Sequence, residues 1–275
     1  MIEAGTSPEQ ILSLLGITEP EELDIEAIAY ACGATILPQP LSGCEANIIG
    51  FSNRAIITVN SNSISTRQRF SGGHELGHWM KDRGQSAFGC SGLQIDSEWT
   101  SSSVETRANR FASDLLLPVA MFSPLAKGRP MTLETVADLA AVFRMSRTAT
   151  AIRLVNYGSF PAMLIYYELG KRKWFLRPSH DFPSSLWPSQ QIEPHSLAAA
   201  LLSDKFAEET VGEVRADRWF EHEKANKYYI RESCFRTGPD SIVVLLWWED
   251  EQQLLDIAEE EEFRTSRRSD YREEF

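Results

Sequence analysis

The sequence predicts an α+β protein, and three observations carry that expectation. Up to about residue 125, short β-rich runs alternate with amphipathic helical stretches. Next, "TLETVADLAAVFRMSRTATAIRLVNYG" reads as two short helices with a break near Arg144–Ser146. Beyond Phe160 the runs "AMLIYYEL", "KWFLRP", "KYYIRESCF" and "SIVVLLWW" follow one another, with "HSLAAALLSDKF" a helix among them, as in an antiparallel sheet with helices set against it. The expected organisation is a first domain over 1–125, a helix-turn-helix-like helical segment over 126–159, and a C-terminal α+β domain with an acidic tail over 160–275.

Taken in order, residues 1–20 read as a polar, Pro-punctuated lead-in with a short apolar patch, "ILSLLG". "PEELDIEAIAYACG" places Leu23, Ile25, Ile28 and Ala29 at helical spacing, with acids in its first turn and Gly33 past its end. "ATILPQPL" is a short strand that Pro38 and Pro40 confine to a sheet edge or a strand end. "ANIIGFSNRAIITVN" is two strands about a turn at Ser52-Asn53. In "SISTRQRFSGGHELGHWMKDRG", Ser65 with Gln68 resembles a capping box, which starts a helix that runs through His78. Residues 84–103 are loop-like in composition. "SVETRANRFASDLLLP" is a helix with Ala108, Phe111, Ala112, Leu115 and Leu116 on one face and Pro118 as its stop.

The bulk numbers restrict what such a chain can do. Across 275 residues no apolar run reaches the roughly 18–20 residues needed to span a bilayer. The start, "MIEAGTSPEQ", lacks the basic and apolar regions of a signal peptide, so the expected location is the cytoplasm, away from membranes. Cys32, Cys44, Cys90 and Cys234 form no C-x-x-C pair, which favours free thiols over a disulfide framework. A net charge of −12 argues against a protein that coats nucleic acid. Part of that excess is local, since "EDEQQLLDIAEEEEF" at 249–263 has no basic residue.

The chemistry concentrates in "SGGHELGHWM", which spends two of the 5 histidines four residues apart. At about 100° per residue, His74 and His78 fall within roughly 40° of each other on one helix face. Two imidazoles so placed converge on one zinc ion at roughly 2.0–2.1 Å. Glu75, beside them, reaches water at the ion without ligating it, so one helical turn supplies two ligands and a general base. The glycines before His74 cost helix propensity, about 1 kcal/mol each. Either a neighbouring backbone or a substrate strand approaches closely at Gly72 and Gly73, or packing tolerates a local bend there.

A zinc site also needs a third protein ligand. The metzincin pattern requires glycine at position 81 and histidine at 84, where this chain has Lys81 and Gly84. The gluzincin-like solution is a glutamate from a later segment, and Glu98 and Glu105 are the candidates. Glu98 sits in loop-like "DSEWTSSS", which fixes a carboxylate poorly. Glu105 opens an amphipathic helix with Asn109 one turn on, placed to accept the outer N–H of a ligating histidine. Glu105 is therefore the preferred ligand, and Asn109 the support of a ligating histidine.

Together, "RFSGGHELGHW" and "ETRANRFASDLLLP" resemble the ImmA/IrrE family of metallo-endopeptidases. The hallmark E-x-x-A-N-x-F-A-x-x-L-L-x-P stands here as Glu105, Ala108, Asn109, Phe111, Ala112, Leu115, Leu116 and Pro118. The similarity covers roughly residues 20–155, and the family often has larger residues where Gly72 and Gly73 lie. It implies a zincin-like fold, one Zn2+ per chain with Mn2+ as a substitute, and hydrolysis of a peptide bond with Glu75 as the catalytic acid–base. It also implies a helix-turn-helix repressor as substrate, whose cleavage releases transcription in stress, phage or mobile-element circuits. The group that would hold the oxyanion is not identified, and His180, His195, His222, Tyr166 and Tyr167 are the candidates.

"VADLAAVFRMSRTATAIRL" supports a second reading, since it follows a helix-turn-helix pattern with Ala140 packed, Ser146 capping and Ile152 and Leu154 inward. Arg144 occupies the place where a turn glycine is common. From Met131 to Gly158 the net charge is only about +1, less than a DNA reader normally carries, so direct DNA binding is not expected. The alternative function is a non-catalytic regulator or antitoxin-like module that binds DNA or a repressor and keeps a structural or vestigial metal site.

Overall fold

The computed structural model describes residues 1–81, 104–178, 182–183, 186–204, 209, 211–222 and 224–258. Glu98, Cys90, His180, the whole loop-like stretch at 84–103 and the end of the acidic tail lie outside the described residues. The fold is mixed α+β and zincin-like. The chain divides into two compact units, one of Met1–Leu125 with Asp138–Thr150, the other of Ala126–Ala137 with Ala151–Phe275.

The first unit opens with a helix where the sequence suggested only a lead-in. α1 (Pro8–Leu15) starts from Ser7, whose hydroxyl accepts from the Gln10 N–H while the Gln10 side chain accepts from the Ser7 N–H, and ends at Gly16 in the left-handed region. That reciprocal cap satisfies two donors that would otherwise lack partners, and it fixes the helix start. The second expected helix is shorter than its pattern. Residues 20–22 form a 3-10 turn, and α2 (Ile25–Ala31) begins at Asp24, whose carboxylate accepts from the N–H groups of Glu26 and Ala27. Leu23, Ile25, Ile28 and Ala29 are all buried, as their spacing requires.

Three strands follow: β1 (Ala34–Gln39), β2 (Ala46–Phe51) and β3 (Arg54–Asn60), in the order β1-β3-β2. β1 lies parallel to β3 at an edge, which accommodates Pro38. β2 and β3 form the hairpin, with Phe51 opposite Arg54 and Ser52 at φ 54° in the turn. Alternate residues Ala55, Ile57 and Val59 of β3 are buried while Arg54 and Ile56 are exposed, the period of a strand with one covered face. α3 (Ser65–Lys81) runs against this sheet, and α4 (Val104–Leu116) packs on α3 and α1. α4 buries Ala108, Phe111, Ala112, Leu115 and Leu116, the five residues expected to share its inner face. The start of α3 differs from expectation. Ser65 is its first helical residue rather than its cap, and the Gln68 amide turns back to donate to the Ser63 carbonyl at 2.6 Å.

α5 (Val119–Ala126), α6 (Leu133–Phe143) and α7 (Arg147–Tyr157) follow, the last two separated by the expected break. Arg144 adopts φ 53°, and the Ser146 hydroxyl accepts from the Ala149 N–H at 3.2 Å to start α7.

The second unit is built on an antiparallel sheet of β4 (Ala162–Glu168), β5 (Lys171–Leu176), β6 (Val211–Arg215), β7 (Tyr229–Gly238) and β8 (Ser241–Trp247), in the order β5-β4-β8-β7-β6. Leu169 and Gly170, both at positive φ, make the two-residue turn from β4 to β5. The central strand β8 is buried at all seven positions, so both faces of the sheet are covered. On one face Ile165, Tyr167, Val244 and Leu246 pack with Trp219, Phe220 and Trp248. α8 (Leu197–Ser203) begins where the buried Glu232 carboxylate of β7 accepts from the Ala198 N–H at 2.8 Å. Burial of that carboxylate raises its pKa from the ordinary value. Among the described residues Cys234 is a buried free thiol and Cys44 a half-buried one, Cys32 is buried, and no helix is long and apolar enough to cross a membrane.

Candidate metal centre

From Ser71 to Met80 every residue of α3 is buried, an unusual run for a stretch that holds two histidines and a glutamate. Polar groups so deep need partners, or their desolvation would cost several kcal/mol. Glycines bring the neighbours in. A Cβ at Gly72 would lie 3.1 Å from Ile36 Cδ1, and one at Gly73 would lie 3.1 Å from Leu116 Cδ1. The nearest atoms at both positions are thus the ends of side chains from the sheet and from α4, not a neighbouring backbone. Sequence reasoning passed over Gly77, where the approach is tightest. A Cβ there would lie 3.0 Å from the Ala108 Cα, on the backbone of α4.

The turn of α3 and the first turn of α4 place three donors together. The His74 and His78 rings meet edge to face with centroids 4.7 Å apart, and their Nε2 atoms are 3.1 Å apart. Glu105 Oε2 lies 3.1 Å from His74 Nε2, and Oε1 lies 3.6 Å from His78 Nε2. Both rings are buried, whereas the Glu105 side chain is 58% exposed, so the cluster has a buried floor and a solvent-facing rim. Glu75 is buried on the same turn. Asn109, one turn beyond Glu105, sets its Oδ1 2.8 Å from His74 Nδ1. An amide oxygen only accepts, so His74 carries its proton on Nδ1 and turns the lone pair of Nε2 toward Glu105.

That assignment is the fit test for a metal. His74 Nε2 and a carboxylate oxygen are then two acceptors at 3.1 Å, an arrangement that a shared cation stabilises. Four ligands around zinc at 2.0–2.1 Å lie about 3.3 Å apart; the two imidazole nitrogens stand 3.1 Å apart, and one or the other Glu105 oxygen stands 3.1 Å from His74 and 3.6 Å from His78. Burial, and then the neighbouring His78, lower the His74 pKa, which favours the neutral imidazole that metals bind. Among the described residues His74, His78 and Glu105 form the cluster able to hold an ion.

The other candidates belong to the second unit. The Tyr167 hydroxyl donates to the Ser189 carbonyl, Tyr166 stacks on Trp174, and His222 Nδ1 accepts from the Lys224 N–H. The carbonyl of His195 accepts from Arg218.

A helix-borne histidine pair with a glutamate from the following helix, in this α+β setting, defines a zincin-like domain with a candidate metal site. Residues 33–155 match the peptidase M78 family model, described as an IrrE N-terminal-like domain, a match consistent with the ImmA/IrrE resemblance of the sequence. Among solved structures, a Mycobacterium tuberculosis transcriptional regulator is similar with a TM-score of 0.56 and 12% identity, over 90% of this chain and 88% of that one. At that identity the likeness concerns the fold. No curated protein matches the chain by sequence.

Proposed function

We propose that the chain is a zinc-dependent endopeptidase that hydrolyses a peptide bond in a regulatory protein, most directly a helix-turn-helix repressor. The observation that carries this reading is Glu75, a carboxylate buried between two histidines whose Nε2 atoms meet a third donor. A purely structural site has no use for it. His74, His78 and Glu105 would hold the ion, and Asn109 would fix the tautomer and ring orientation of His74. A bound Zn2+ supplies Lewis acidity, lowering the pKa of water toward about 7 and polarising a carbonyl. Glu75 takes a proton from water and returns it to the leaving amine, a role that suits a carboxylate held on a rigid helix. In this reading residues 1–125 do the chemistry, while 126–159 and 160–275 serve recognition.

The similar fold of a transcriptional regulator suits the alternative, a non-catalytic module that binds DNA or a repressor. The state of α7 weighs against the DNA half of it. A recognition helix must offer side chains to a groove, yet Thr150, Ala151, Arg153, Leu154 and Val155 are buried and Arg147, Thr148 and Ala149 are half-buried. Arg153 lies over the Tyr157 ring instead of facing solvent.

Glu75→Gln separates the readings. The variant should retain metal and lose cleavage of any helix-turn-helix repressor that the wild-type chain cleaves, assayed by gel with purified components. Cleavage at the wild-type rate would end the peptidase reading.

A further inference from the structure

We infer that Gly77 is a positioning residue for the metal centre, because its missing Cβ sets how closely α4 approaches α3 and so whether Glu105 reaches the histidine pair. The inference rests on His74, His78 and Glu105 being the ligands. Two of those ligands ride on α3, so their mutual distance of 3.1 Å does not depend on where α4 lies. The third rides on α4 and depends on it entirely.

The contact that holds α4 in place is backbone against backbone. A Cβ at Gly77 would lie 3.0 Å from the Ala108 Cα, 3.1 Å from the Ala108 carbonyl oxygen and 3.1 Å from the Phe111 Cβ. None of these atoms can swing aside by changing a rotamer. A methyl group at 77 therefore moves α4 outward by a few tenths of an ångström, and Glu105, one turn before Ala108, moves with it. Gly73 faces the same helix but supplies a control. Its nearest neighbour is the end of the Leu116 side chain at 3.1 Å, with the Ala112 Cβ next at 3.4 Å, and the leucine can yield. Alanine is the stronger helix former at both places, so propensity does not account for glycine at 77.

The test is the Zn2+ affinity of the full chain, measured by competition with a chromophoric chelator. Gly77→Ala should weaken binding by about 10- to 100-fold, the range seen when support of a ligand is lost, and Gly73→Ala should weaken it by well under that. A double-mutant cycle shows through which group the glycine acts. In a Glu105→Ala background, Gly77→Ala should cost no further affinity, whereas a general loosening of the fold would add its full factor. Wild-type affinity in Gly77→Ala, or additivity in the double variant, overturns this inference alone. So does a Gly77→Ala chain that has lost its far-ultraviolet circular dichroism in metal-free buffer, since the glycine would then serve the fold rather than the site. Wild-type affinity in Glu105→Ala overturns the ligand assignment, and this inference with it.

Discussion

Asn109 does for His74 what the backbone cannot, because the ring of a buried histidine has two nitrogens and only one is useful to an ion. The 2.8 Å contact to Nδ1 decides which nitrogen keeps the proton. Asn109→Leu removes the acceptor at similar volume, freeing the tautomer and the ring. Zn2+ affinity should fall by about 10- to 100-fold with the thermal unfolding of the metal-free chain little changed; unaltered affinity would show that the amide is incidental. The pairing was legible in the sequence because both residues lie at helical spacing from a ligand. The role of Gly77 was not. Its partner, the Ala108 backbone, is 31 positions away, and no local pattern records which face of α3 meets another helix.

Among the elements, legibility followed the range of the forces that fix them. α4 could be read from its apolar spacing and stop signal alone, since one buried face and a proline decide it. α1 carried an equally local signal, Ser7-Pro8-Glu9-Gln10, which is a complete capping box and was hidden only by the prolines and polar residues around it. The helix-turn-helix-like pair shows the opposite limit. Arg144 stands in the left-handed region, at about 1–2 kcal/mol for a residue with a Cβ. Its guanidinium donates to the carbonyl of Leu23 at 2.9 Å, a contact 121 residues away that no turn rule foresees. The more buried Arg69 donates to the same oxygen, and burial together with Arg144 lowers its pKa to about 10. Arg144→Ala keeps the strained φ and loses the contact, while Arg144→Gly loses the contact and the strain together. Urea unfolding should therefore find the alanine variant less stable than the glycine variant by about 1 kcal/mol. Equal stabilities would mean that the turn is not strained.

On the scale of the whole molecule, composition and fold point the same way. The proposal that the chain does not hold DNA rests on its net charge of −12 and on the burial of much of α7, and its likeness to a regulator at 12% identity is a likeness of architecture. The family match ends at residue 155, so the sheet of the second unit lies outside it. The sequence announced that sheet through its β-rich runs, but β6 escaped, because "VGEVR" is short, half-exposed and glycine-containing, and only pairing with β7 makes it a strand. The proposed function turns on a single ion that one residue pair of α3 and one residue of α4 would hold. Zinc content of the purified chain, with that of His74→Ala, Glu105→Ala and Glu75→Gln, measures this directly. One ion per chain in the wild type and in Glu75→Gln, lost from the other two, is the result expected. A wild-type chain without zinc at saturating supply, or one whose zinc survives removal of both His74 and Glu105, would contradict it.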